Sequence, residues 1–157
     1  MLYFAGYSAA INRKTWLIPV DADPSDIEEK AIELSSVANA LSNARRVGLI
    51  LIDACRASKA FSGGCLEPPS IPPRVVLGYS APPGRPIDFN SKYASVLQKY
   101  LAMPGLELVE MLEKVSLEVF VESDKKQFTW KAEGPELARP IYLKPAQLSA
   151  PGTSSLP

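Results

Sequence analysis

The sequence predicts an α/β domain in which a mostly parallel sheet carries helices on both faces. The apolar run Leu49, Ile50, Leu51, Ile52 after Gly48 has the length and β-branched content of a strand covered on both sides. The segment before it, from Ser25 or Asp26 to about Asn43, is patterned as a helix, and further strand and helix signals alternate after it. A strand, helix, parallel strand crossover follows from that order.

Leu2 to Gly6 reads as an aromatic strand, followed by a loop with Asn12, Arg13 and Lys14 and an extended piece from Thr15 to Val20. Asp21, Asp23 and Pro24 end that piece. In the helix that follows, Ile27, Ala31, Leu34, Val37, Ala38 and Leu41 recur on one face. Acids open it and Arg45 and Arg46 lie just past its end, an order that suits the helix dipole. The next strand spans Val47 to Ile52. Ala57 to Pro73 holds Gly63, Gly64 and two Pro-Pro pairs and reads as a long loop.

Arg74 to Tyr79 is the following strand, with Ser80 to Pro86 as its exit. Ser91 is placed to cap a helix from Lys92 to Ala102, and Leu106 to Phe120 forms a second amphipathic helix after the break at Met103, Pro104 and Gly105. Gln127 to Trp130 reads as extended, and Arg139 to Lys144 as the last strand. Residues 1–144 make one domain, and the Pro, Ser, Ala and Gly-rich tail, 145–157, is expected to be disordered.

Composition removes several function classes. The 157 residues carry 17 acidic and 17 basic side chains, so no net field recruits nucleic acid or an anionic membrane. The longest apolar stretches fall far short of the ~20 residues that cross a bilayer, and no secretory leader is legible. With two cysteines and no histidine, a structural zinc site lacks ligands. No metal or other cofactor is expected. A cytoplasmic setting is the expectation, and with it reduced thiols at Cys55 and Cys65, although a disulfide between them is open.

The chemistry concentrates at Asp53, Ala54, Cys55 and Arg56, where the apolar strand ends. In open α/β sheets the carboxyl ends of strands are where sites assemble. A cysteine there, beside a cation that favours the thiolate, is a candidate nucleophile, although an isolated cysteine more often just fills core. On the residues alone, Asp53 reads as an acid that finishes the strand and pairs Arg56 or another cation.

These residues resemble the catalytic domain of caspase-like cysteine peptidases, the bacterial orthocaspases and metacaspases. Leu2, Tyr3, Phe4, Ala5, Gly6, Tyr7 and Ser8 stand where that family has an aromatic strand ending in Gly-His-Gly. Trp16 to Ala22 resembles its Tyr-Leu-Ile-Pro-Val-Asp segment, and Gly78 to Gly84 its Tyr-Ser-Ala-x-Pro-Gly loop. The resemblance spans roughly Tyr3 to Leu143. It implies a caspase-like three-layer α/β/α sandwich, truncated at the N-terminus, with Met1 read as a shortened start. The sheet would then expose strand 2–6 at its edge, a surface for self-association.

The resemblance also assigns roles. Cys55 takes the nucleophile position, Tyr7 the position of the family's histidine, and Ser8 an oxyanion-hole position. Asp53, Tyr79 and Ser80 fall at substrate-binding positions, and the matching acid in metacaspases selects Arg or Lys before the scissile bond. A phenol ordinarily titrates near ~10 and is a poor base at neutral pH, and loss of a general acid/base costs ~100 to 10,000-fold. The implied function is a cysteine endopeptidase impaired in this copy. The alternative is a non-catalytic pseudopeptidase that binds a peptide or regulates a partner. Either way the expected ligand is a peptide or protein.

Overall fold

Among the described residues, six strands form one mixed sheet: β1 (Leu2–Ile11), β2 (Lys14–Ile18), β3 (Ile32–Glu33), β4 (Gly48–Ala54), β5 (Val75–Tyr79) and β6 (Trp130–Glu133). Four helices among the described residues accompany them: α1 (Ile27–Lys30), α2 (Leu34–Leu41), α3 (Tyr93–Leu101) and α4 (Leu108–Glu122). The computed structural model describes residues 1–23, 25–54, 65, 67–87 and 90–146. The expected disordered tail from 147 onward and most of the glycine-rich loop lie outside the described residues.

The strand order is β3-β2-β1-β4-β5-β6. β1, β4 and β5 are mutually parallel, while β2, β3 and β6 join antiparallel at the two sides. Every residue of β4 and β5 is buried, which is why both read as uninterrupted apolar runs. Alternate side chains divide between two cores. Leu49, Leu51 and Val76 meet α3 and α4, with Tyr93, Leu97, Leu108, Leu112 and Val115. Ile50, Ile52, Val75 and Leu77 face the other way, towards Leu34 and Ala38 of α2. Each such fully buried aliphatic side chain contributes about 2 kcal/mol in lost contact with water.

Several boundaries depart from the sequence reading. The predicted aromatic strand runs on past Gly6 to Ile11. It turns at Asn12 and Arg13, both at positive φ (53° and 61°), and returns as β2. That left-handed pair matches the two-residue hairpin geometry that follows strand twist. Since β2 is antiparallel to β1, the parallel partner of β4 is β1, and the crossover starts from β1.

The single helix predicted over residues 25–43 is broken into α1, β3 and α2. Ala31 is extended (φ −77°, ψ 155°), and Ile32 and Glu33 pair with Leu17 and Trp16. A ladder to β2 and the Lys14–Glu33 ion pair at 2.9 Å win over helical propensity there. Residues 139–144 do not form a strand. Their contribution is one bridge, Tyr142 to Glu107, because Pro140 has no N–H and Ile141 instead exchanges bonds with Glu107 and Leu108.

Two close approaches tie the ends of these elements. A Cβ at Gly48 would lie 2.6 Å from the Leu41 carbonyl oxygen, so glycine lets the end of α2 sit directly on the start of β4. Glu107 caps α4, accepting from the N–H of Val109 (2.9 Å) and Glu110 (3.2 Å).

Candidate functional site

The site candidate builds from β4, which continues through Asp53 and Ala54 rather than stopping at Ile52. Asp53 extends the face of Leu49 and Leu51, so its carboxylate enters the α3 side of the sheet, where it is 3% exposed. A buried carboxylate needs hydrogen bonds. Ser91, at the start of α3, donates its hydroxyl to Asp53 Oδ1 at 3.0 Å. Ser91 is not the expected helix cap: α3 begins one residue later, with Lys92 at its N-cap position and no side-chain cap, and Ser91 Oγ instead accepts from Tyr93 N at 3.3 Å from just outside the helix.

Gln127, in the connection from α4 to β6, completes this layer. Its Nε2 donates to Ser91 Oγ (3.0 Å) and to the Ser80 carbonyl (2.9 Å), while its Oε1 accepts from Lys92 N (2.9 Å). The carboxyl ends of β4 and β5, the start of α3 and the approach to β6 are thus cross-linked by one polar network. Sequence reasoning missed Gln127 and the second role of Ser91. Ser91 is 38 positions from Asp53 and 36 from Gln127, and neither residue belongs to a motif, so no sequence signal pointed to them.

Tyr79 and Ser80, predicted at a cleft wall, are both fully buried. Tyr79 stacks on Trp130 with ring centroids 5.3 Å apart, and burial raises its phenol well above the usual range. Ser80 N donates to the Ile52 carbonyl at 2.9 Å, holding the exit of β5 against β4. Beside them, the segment after β5 and the one before β6 enclose a cavity of about 760 Å³, lined by Ala81, Pro82, Arg85, Asn90, Lys92, Glu122, Asp124, Gln127 and Phe128 among others. Its walls mix both charges with an exposed ring, Phe128.

On the other side of β4, the last parallel rung to β1 pairs Gly6 with Ala54, the residue before Cys55. Tyr7 and Ser8 follow on β1, paired with Ile18 and Leu17 of β2. Tyr7 is 39% exposed, whereas Ser8 is buried and its Oγ has no hydrogen-bond partner among the described residues. Cys55 and Arg56 lie outside the described residues. Cys65, expected to be a reduced thiol, is disulfide-bonded. Among the described residues no group of three or more Cys, Asp or Glu side chains is arranged to hold a metal ion, and no helix is long and apolar enough to cross a membrane.

A mixed sheet with parallel centre strands, covered on both faces, ends its middle strand in a buried acid just ahead of a cysteine. Comparison with protein families decides what this arrangement belongs to: residues 1–136 match the caspase domain. The chain belongs to the caspase domain family. The match spans the whole sheet, from β1 through β6, and makes this a caspase-like fold of a cysteine peptidase family. A search of curated proteins finds no match to the chain. Within the caspase domain, the polar network of Asp53, Ser91 and Gln127 sits at the carboxyl edge of the parallel strands, the edge at which open α/β sheets place their sites.

Proposed function

We propose that this caspase domain is a cysteine-type endopeptidase unit that recognises Arg or Lys before the scissile bond and is impaired by the absence of histidine. Cys55 is the nucleophile, Tyr7 occupies the position of the general base, and Ser8 stands at the oxyanion hole. Asp53 supplies the anionic floor of the primary specificity pocket, and the Ser80 carbonyl is tied to the same polar layer through Gln127. The observation that carries the reading is Asp53 itself, a carboxylate buried at the end of a central strand and two residues before a cysteine.

The chemistry sets what this copy can do. Attack by Cys55 Sγ on a peptide carbonyl requires the thiolate, and expulsion of the amine requires a proton donor. A chain without histidine performs neither step efficiently, so turnover falls by ~100 to 10,000-fold relative to a copy with the imidazole. Peptide binding does not need the base. The substrates are peptides or proteins with exposed basic residues.

The test is cleavage of fluorogenic peptides ending in Arg, Lys, Asp or Leu, with a thiol reductant present because Cys65 is disulfide-bonded. Preference for Arg and Lys that disappears in Asp53→Asn supports the reading. Equal cleavage of the four, or none even in Tyr7→His, overturns it and leaves a binding module.

Self-association through Leu2–Gly6 accompanies this proposal. The ladder bonds of that half of β1 go to β4, those of Tyr7–Ile11 go to β2, and Tyr3 is 41% exposed. Light scattering that shows a monodisperse monomer at all concentrations contradicts it.

A further inference from the structure

We infer that Ser91 and Gln127 are positioning residues that fix the direction of the Asp53 carboxylate for a guanidinium or ammonium ligand, an inference that rests on Asp53 being the cation-recognition group proposed above. Gln127 Oε1 accepts from the backbone N–H of Lys92 at 2.9 Å, and this sets the amide so that Nε2 faces inward. The two Nε2 hydrogens then go to the Ser80 carbonyl at 2.9 Å and Ser91 Oγ at 3.0 Å.

A serine hydroxyl has two lone pairs and one hydrogen. Both lone pairs of Ser91 are engaged, by Gln127 Nε2 and by Tyr93 N at 3.3 Å. Its one hydrogen therefore has a single direction left, towards Asp53 Oδ1 at 3.0 Å. The orientation begins at two backbone groups, passes through an amide that cannot flip without facing like against like, and ends on one carboxylate oxygen. Asp53 Oδ1 is held as an acceptor, and the plane of the carboxylate is set before any ligand arrives. A pre-oriented carboxylate forms bidentate bonds to a guanidinium without losing rotamer freedom on binding.

Gln127 does a second thing by the same bonds. It lines the 760 Å³ cavity together with Lys92, and its bond to Ser91 links that wall to the hydroxyl that donates to Asp53.

The experiment compares binding of two fluorescent tetrapeptides to the full-length chain, one ending in arginine and one in citrulline, which has nearly the same shape and no charge. General damage to the fold weakens both alike. Loss of carboxylate orientation weakens the arginine peptide more. The wild type is expected to prefer arginine, and Asp53→Asn to lose that preference. Ser91→Ala and Gln127→Ala are expected to reduce it by roughly 10-fold, the usual worth of a hydrogen bond to a charged group, with arginine binding weakened more than citrulline binding. Ser91→Thr keeps the hydroxyl and restores the preference, which also covers the case in which Ser91→Ala fails to fold. If the wild type prefers arginine, Asp53→Asn abolishes the preference and both alanine variants retain it, the positioning role is refuted while the recognition role of Asp53 stands. If the wild type itself does not distinguish the peptides, both fall.

Discussion

Replacing Glu107 with alanine is expected to cost about 2–3 kcal/mol, because this one carboxylate holds together a helix start and a chain segment that no ladder secures. It accepts from Val109 N and Glu110 N at the first turn of α4, from Arg139 Nε and Nη2 at 3.2 and 2.7 Å, and from Ile141 N at 3.3 Å. Loss of a helix cap costs about 1 kcal/mol. Stranding the N–H of Ile141, a residue only 5% exposed, adds about 1 kcal/mol or more. The ion pair adds less, since the Arg139 side chain is 47% exposed and water screens it.

The same contacts give a pH signature. Burial alone would raise the Glu107 carboxyl, but the bonds from Arg139 and the backbone N–H of Glu110, Ile141 and Val109 outweigh it and lower the pKa from 4.5 to about 2. A group depressed in the folded state stabilises it fully above the unfolded pKa, and that contribution is lost as pH falls from about 4.5 through about 2. Urea titrations of wild type and Glu107→Gln from pH 6 to pH 2 measure it. The glutamine variant is expected to be about 1–2 kcal/mol less stable at pH 6, with the gap closing towards pH 2. A gap that stays constant over that range refutes the assignment of charge-dependent bonds to Glu107.

Other outcomes follow from the two cores and the close contacts. Leu51→Ala empties a fully buried position between β4 and the α3–α4 layer and is expected to cost about 2–5 kcal/mol by urea denaturation. Gly48→Ala forces a methyl against the Leu41 carbonyl oxygen and is expected to lower the thermal midpoint, whereas Gly84→Ala meets open space and costs only the strain of its positive φ of 76°. Tyr93→Phe removes a buried hydroxyl that has no hydrogen-bond partner among the described residues, so stability is expected to hold or rise by up to about 1 kcal/mol.

What the sequence revealed tracks how locally each feature is specified. β4 and β5 were legible because burial on both faces writes itself as an apolar run, and α3 and α4 because each has one apolar stripe. The break of the predicted helix at Ala31 was not legible, since its cause is the ladder from Ile32 and Glu33 to β2, a partner set by the fold. The supposed last strand failed for a similar reason: Ile141 packs into the α3–α4 core and its N–H bonds to Glu107 instead of joining the sheet. At the site, Asp53 stood out through its place after the run. Ser91 and Gln127 did not, because a hydroxyl and an amide acquire meaning only from the neighbours that chain folding brings to them.

The central claim is that a cysteine peptidase site persists here with a phenol where its base belongs. The most direct measurement is the rate at which purified wild type, Tyr7→His and Tyr7→His with Cys55→Ala cleave one arginine-terminated fluorogenic peptide under reducing conditions. A rise of ~100-fold or more on introducing histidine, abolished by removing the thiol, is the predicted result. A wild-type rate equal to that of the histidine variant, or a rate indifferent to Cys55, contradicts it.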